Sequence, residues 1–115
     1  MISIHQSQFL SWSPFYYKVL SSENFVTLDD VQFQKNGVQN RNLIKTPQGK
    51  SWITLSVKFD ISTKINEVII DPNFKKEKLL RTIELNYKKS KNFEIVFKIV
   101  KSIIDSECFN LHQLN

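Results

Sequence analysis

Cysteine occurs once in the 115 residues, and glycine and histidine twice each. The lone Cys108 excludes an internal disulfide and any site built from several thiolates, which fits a reducing compartment. No histidine-bearing motif accompanies it, so the thiol reads as buried or incidental rather than nucleophilic. Two isolated glycines form neither GxGxxG nor GxxxxGK[ST], and no serine sits in a nucleophile elbow. Dinucleotide binding, P-loop hydrolysis and α/β-hydrolase chemistry are therefore disfavoured. The N-terminus lacks the cationic and apolar regions of a signal peptide, and no window approaches 18 apolar residues, so the expectation is a soluble, cytoplasmic protein that does not engage a membrane.

What is present describes an ordinary globular chain: 41% hydrophobic, 23% charged, with a net charge of +5. Its length predicts one domain, residues 1–115. The segment Lys75 to Lys91 holds seven Lys/Arg against Glu77 and Glu84, enough to account for the whole net charge. A charge run of this kind is usually the solvated side of a helix, and no nucleic-acid-binding motif accompanies it.

Periodicity predicts an α/β fold. Ile2 and Ile4 alternate with Ser3 and His5, the period of a strand ending at His5. Trp12, Phe15, Tyr16, Val19 and Leu20 then recur at helical spacing, with Ser13 as N-cap and Pro14 at the first helical position. Phe25 to Leu28 forms a second strand running into Asp29 and Asp30. If these two strands are parallel, His5 and the aspartates emerge at the same carboxyl edge, where open α/β sheets bind ligands. Thr46-Pro47-Gln48-Gly49 has the residues of a tight turn and predicts a hairpin between strands near Arg41–Lys45 and Trp52–Val57. A further strand follows from about Glu67 to Ile70. Helices from about Asn73 to Lys88 and from Asn92 carry apolar stripes of 3.6 period. The expected architecture is thus a strand-helix-strand unit with a mixed sheet, then a hairpin and two C-terminal helices. Residues 109–115 read as the start of another element.

The richest polar stretch is Asp29 to Lys45, which holds two adjacent carboxylates, three Gln, three Asn, one Arg and two Lys in seventeen residues. Imidazole as a side-chain type changes charge near neutral pH, which suits His5 to a general base or a metal ligand. Asp29 and Asp30 are consecutive, so one points into a site and the other caps or pairs, unless the strand ends between them. Arg41 offers a planar fork and Lys45 a point charge for phosphate or carboxylate. Gln32, Asn40 and Asn42 suit sugar hydroxyls as well as turns. His5 with one aspartate is also the beginning of a divalent-cation site, a donor set too small to name a metal, and cofactors stay open. Trp12 and Trp52 lie beside apolar stripes, which favours core or core-edge over a stacking wall for a sugar.

Four motifs in order carry a resemblance: Ile4-His5-Gln6 with Phe9 and Trp12; Phe25-Val26-x-Leu28-Asp29-Asp30-Val31-Gln32-Phe33; Asn40-Arg41-Asn42-x-Ile44-Lys45-Thr46-Pro47-x-Gly49; and Trp52-Ile53-Thr54. The chain resembles the WbqC-like family. That family is bacterial, associated with gene clusters for O-antigen and other surface polysaccharides, and suggested to include glycine transferases acting on sugars. The resemblance implies a transferase moving an acyl or aminoacyl group to an amino sugar or sugar nucleotide. In that picture His5 is the base, Asp29 or Asp30 orients it, and Gln6, Gln32, Asn40, Arg41, Asn42 and Lys45 hold substrate. The alternative is a non-catalytic module binding nucleic acid or an anionic polymer, with nucleic acid the weaker of the two.

Members of the family look about twice as long, so the chain corresponds to an N-terminal half, with a homo-oligomer or a separate C-terminal half as partner. The family's helix near Leu111 is then expected to be missing. Ser7 and Ser11 stand where the family usually has prolines. Each proline fixes φ, so the Gln6–Trp12 loop is expected to be looser here.

Overall fold

The computed structural model describes residues 1–115. Strand β1 (Ile2–His5), helix α1 (Ser13–Ser21) and strand β2 (Asn24–Thr27) form the expected crossover, and β1 pairs with β2 in parallel, His5 opposite Thr27. Helix α1 starts one residue earlier than expected. Trp12 is its N-cap: the Phe15 amide donates to Trp12 O at 3.1 Å, while the indole N–H, a donor only, makes no side-chain cap. Side-chain alternation sends Ser3, His5 and Phe25 toward α1, where Phe15 meets the His5 and Phe25 rings edge-on at 5.3 and 5.6 Å. Ile2, Ile4 and Val26 occupy the opposite face and are exposed.

The hairpin follows as β3 (Arg41–Thr46) and β4 (Gly49–Thr54), antiparallel, with Leu43 opposite Trp52 and Lys45 opposite Lys50. Gly49 closes the turn at φ +112°. Nothing crowds a Cβ there, so backbone conformation alone demands glycine. Strands β5 (Val57–Lys58) and β6 (Ile69–Ile70) make a short antiparallel pair, separated by a 3-10 turn at Ile65–Glu67. Helices α2 (Lys76–Tyr87) and α3 (Phe93–Ile104) complete the expected pair. Residues Leu111–Leu114 form one more short helix, α4, whose Leu111 and Leu114 are buried, so a helix does begin at Leu111.

The class is α/β, with parallel and antiparallel pairing both present. They do not share one mixed sheet: the structure holds three separate two-stranded ladders. The predicted strand through Val57 breaks after Thr54. There Leu55 turns fully into the core; its N–H donates to Asn40 O at 2.7 Å in the register of the β3–β4 ladder, but its carbonyl receives the Asn40 side-chain amide at 3.0 Å in place of a backbone N–H.

The core joins Phe33, Ile44, Ile53, Leu55, Ile65 and Val68 to Leu79, Leu80 and Ile83 of α2, Ile104 of α3 and the two leucines of α4. From the first 30 residues only Phe9 belongs to it. The β1–α1–β2 unit is therefore seated on the core through its connecting loops rather than built into it.

Candidate functional site

The parallel register delivers His5 and Asp29 to one edge, as expected, and the hydrogen bonds there have a particular form. His5 Nδ1 lies 2.7 Å from the carbonyl oxygen of Gln6. The amide of Ser7 donates to Asp29 Oδ1 at 2.9 Å. Gln6 C=O and Ser7 N–H are the two ends of a single peptide group, and no peptide bond in the chain is cis. Imidazole and carboxylate thus clasp one peptide from opposite sides, which puts His5 Nδ1 and Asp29 Oδ1 no more than about 8 Å apart.

A carbonyl oxygen can only accept, so Nδ1 carries the hydrogen. In neutral His5 the Nε2 lone pair is then free, the tautomer a general base requires. Asp29, 6% exposed, forms no salt bridge; its carboxylate receives the Ser7 amide, and its own carbonyl receives the Asn66 amide at 2.8 Å. Asp30 is exposed.

The polar residues around this clasp are tied into the fold. Gln39 Nε2 donates to Gln6 Oε1 at 3.0 Å, Asn40 Nδ2 to Leu55 O at 3.0 Å, and Asn42 Nδ2 to Phe9 O and Leu10 O at 3.2 and 3.0 Å. With Phe9 N–H on Val38 O, these bonds pin the Gln6–Trp12 loop along its length. Where the φ restraint of proline is absent, the loop is held instead by these backbone and side-chain hydrogen bonds. Ser7 Oγ, Gln39 Oε1, Asn66 Oδ1 and Arg41 Nε are buried and have no partner within the protein.

Other candidates lie elsewhere. Gln32 is exposed and donates to Ile61 O. Arg41 donates to Asn36 O at 2.6 Å and stacks over the Trp52 ring at 4.0 Å. Lys45 sits four residues further along β3, roughly 13 Å away by strand rise, on the same face. Register places Arg41, Leu43 and Lys45 beside Lys50 and Trp52 on the outer side of the hairpin. Trp52 is 46% exposed and Trp12 67%, so neither is a core residue. Strand alternation turns Trp52 away from buried Ile53, and Trp12 precedes a helix that buries no residue.

Two features had no sequence signal. Ser7 acts through its backbone N–H, which residue type reveals only by not being proline. A groove of about 510 Å³ opens between the inner face of the hairpin and α2–α3, its walls drawn from five separate segments. Nowhere do three or more His, Cys, Asp or Glu side chains converge as a metal site would require. No helix is long and apolar enough to cross a membrane.

The chain is 32% identical over 117 residues to an uncharacterised protein of Mycobacterium tuberculosis, an alignment covering 99% of this chain and 51% of that protein. It therefore spans about half the length of the relative it matches. No solved structure matches it. The profile of the WbqC-like protein family matches residues 6–115, from the clasped Gln6 through the C-terminal helices. With all but the first five residues inside that match, the chain belongs to the WbqC-like protein family.

Proposed function

We propose that this domain provides the base side of a transferase that moves an acyl or aminoacyl group, glycyl among them, onto an amino sugar or sugar nucleotide of bacterial surface polysaccharide. The observation that carries this reading is the clasped Gln6–Ser7 peptide, which engages His5 through Nδ1, leaving Nε2 for the role of base, and is held from its other end by the buried Asp29. In the reaction an acceptor amine or hydroxyl attacks the acyl carbon and its proton passes to Nε2. The bond to the donor's leaving group breaks, and the proton follows that group. Asp29 acts by holding the peptide that orients the ring. Arg41 and Lys45 engage the phosphates of an extended ligand lying along the hairpin. The 115 residues act with a second half, on the same chain or a separate one, and the uncovered apolar face of β1–β2 supports this, since parallel sheets are ordinarily covered on both faces.

Calorimetry with a panel of UDP- and dTDP-amino sugars tests the reading. Saturable binding of at least one, weakened by Arg41→Ala, is expected. A folded protein that binds none, or an Arg41→Ala variant of unchanged affinity, overturns it. In parallel, ¹⁵N shifts of His5 are expected to show hydrogen on Nδ1 and a lone pair on Nε2; the opposite tautomer removes the base.

The outer hairpin face favours a second reading, a binding module for an anionic polymer. Arg41, Lys45 and Lys50 surround half-exposed Trp52 there. Trp52 fluorescence would report binding of a single-stranded oligonucleotide with steep salt dependence; no binding at low salt would exclude it.

A further inference from the structure

The groove between the hairpin and the helices lies apart from the clasp. Its floor is apolar and well buried: Ile44 and Ile53 from β3–β4 and Ile83 from α2. Phe97 and Val100 of α3 line it from the other side, and eleven of its sixteen lining residues are hydrophobic. About 510 Å³ is within the range of small-molecule sites. The lining holds one charge, Lys91, in the turn between α2 and α3 beside the neutral Ser90 and Asn92.

Leu10, which also lines the groove, has a left-handed backbone, φ 43°. For a leucine this conformation costs about 1–2 kcal/mol and persists only where neighbours enforce it. Asn42 enforces it, donating to both Phe9 O and Leu10 O. The fold thus holds a strained residue at the rim of a preformed apolar groove.

We propose that this groove binds a medium-chain aliphatic carboxylate, its chain along Ile44, Ile53 and Phe97 and its carboxylate at Lys91. The single positive charge selects an anionic head, and an otherwise neutral, largely apolar lining selects a saturated tail over a second polar group. The binding stands independently of the transferase reading.

Calorimetry with octanoate, decanoate and dodecanoate below their micelle concentrations tests it. Saturable one-to-one binding is expected, tightening roughly threefold or more per methylene. Val96→Glu, at an exposed position on the groove wall, adds a negative charge without disturbing the core and is expected to abolish decanoate binding. Lys91→Glu should weaken decanoate at least about fivefold and improve decyltrimethylammonium. The proposal is overturned by absence of saturable binding, as when another polypeptide is the true occupant. It is equally overturned by affinity independent of chain length, by decyltrimethylammonium matching decanoate on the wild type, or by Val96→Glu retaining affinity. Decanoate binding alongside failure of every amino-sugar nucleotide would sink the transferase reading and leave this one standing.

Discussion

Gly37→Ala tests the packing beneath the clasp. Gly37 has no left-handed backbone, so alanine meets no conformational obstacle. Its Cβ would lie 2.4 Å from Gln39 Oε1 and 3.1 Å from Gln34 O. Gln39 is 3% exposed, and its Nε2 is bonded to Gln6 Oε1, so the amide yields only by giving up that bond. A lost neutral hydrogen bond costs about 0.5–1.5 kcal/mol and overpacking about 1–3. Replacing glycine where its φ is ordinary returns about 0.4–1 kcal/mol through the unfolded chain. The net expectation is a loss of about 1–3 kcal/mol in urea denaturation. In a Gln39→Ala background only the 3.1 Å approach to Gln34 O remains, and the loss should fall below about 1 kcal/mol. This reduction distinguishes a side-chain clash from a backbone effect. An equal loss in both backgrounds would refute the reasoning.

Phe9, 1% exposed and the sole core contribution of the N-terminal unit, should cost about 3–5 kcal/mol on truncation to alanine; a loss below about 1 kcal/mol would mean the unit is not anchored there. Asp60 has its pKa lowered from 3.8, first by the Ser62 amide and then by the Ser62 and Thr63 hydroxyls. Its contribution is therefore present above 3.8 and lost as pH falls through the lower folded value, and Asp60→Asn should flatten stability against pH in that acid window only. Arg41→Lys forfeits the planar stack on Trp52, worth about 0.5–1 kcal/mol, and should change Trp52 emission in a Trp12→Phe background; unchanged emission would place the guanidinium off the ring.

The fold was legible where local pattern and packing agree. Period-two alternation through His5, helical spacing from Trp12 and the turn residues at 46–49 each encode geometry within a dozen residues, and all three elements form. What was not legible is how far each ladder extends. Val57 continues the alternation of Ile53 and Leu55, yet the ladder stops there because the Asn40 side-chain amide takes the Leu55 carbonyl, a bond that strand propensity does not encode. The tryptophans fail for a related reason. Adjacency to an apolar stripe says nothing of which side of a strand or helix the core lies on, and for both Trp12 and Trp52 it lies opposite.

At the site, the strand-helix-strand order was the legible feature, and the parallel pairing it allowed brings His5 and Asp29 to one edge. The amides of the Asp29–Lys45 stretch were ambiguous because their partners, Gln6, Phe9, Leu10 and Leu55, are 15 to 33 residues away. No local pattern encodes such a pairing.

The serine at position 7 is the instructive case. Read as a missing proline, it implies a lost restraint on φ and a looser loop. In the structure its N–H, which proline lacks, is the group Asp29 receives, while the carbonyl of the same peptide receives the His5 ring. A restraint on one dihedral has been exchanged for a hydrogen bond that fixes the peptide plane. That plane, in turn, determines which imidazole nitrogen carries the proton. The substitution that looked like a loss of precision is therefore the one that couples a buried carboxylate to the His5 ring.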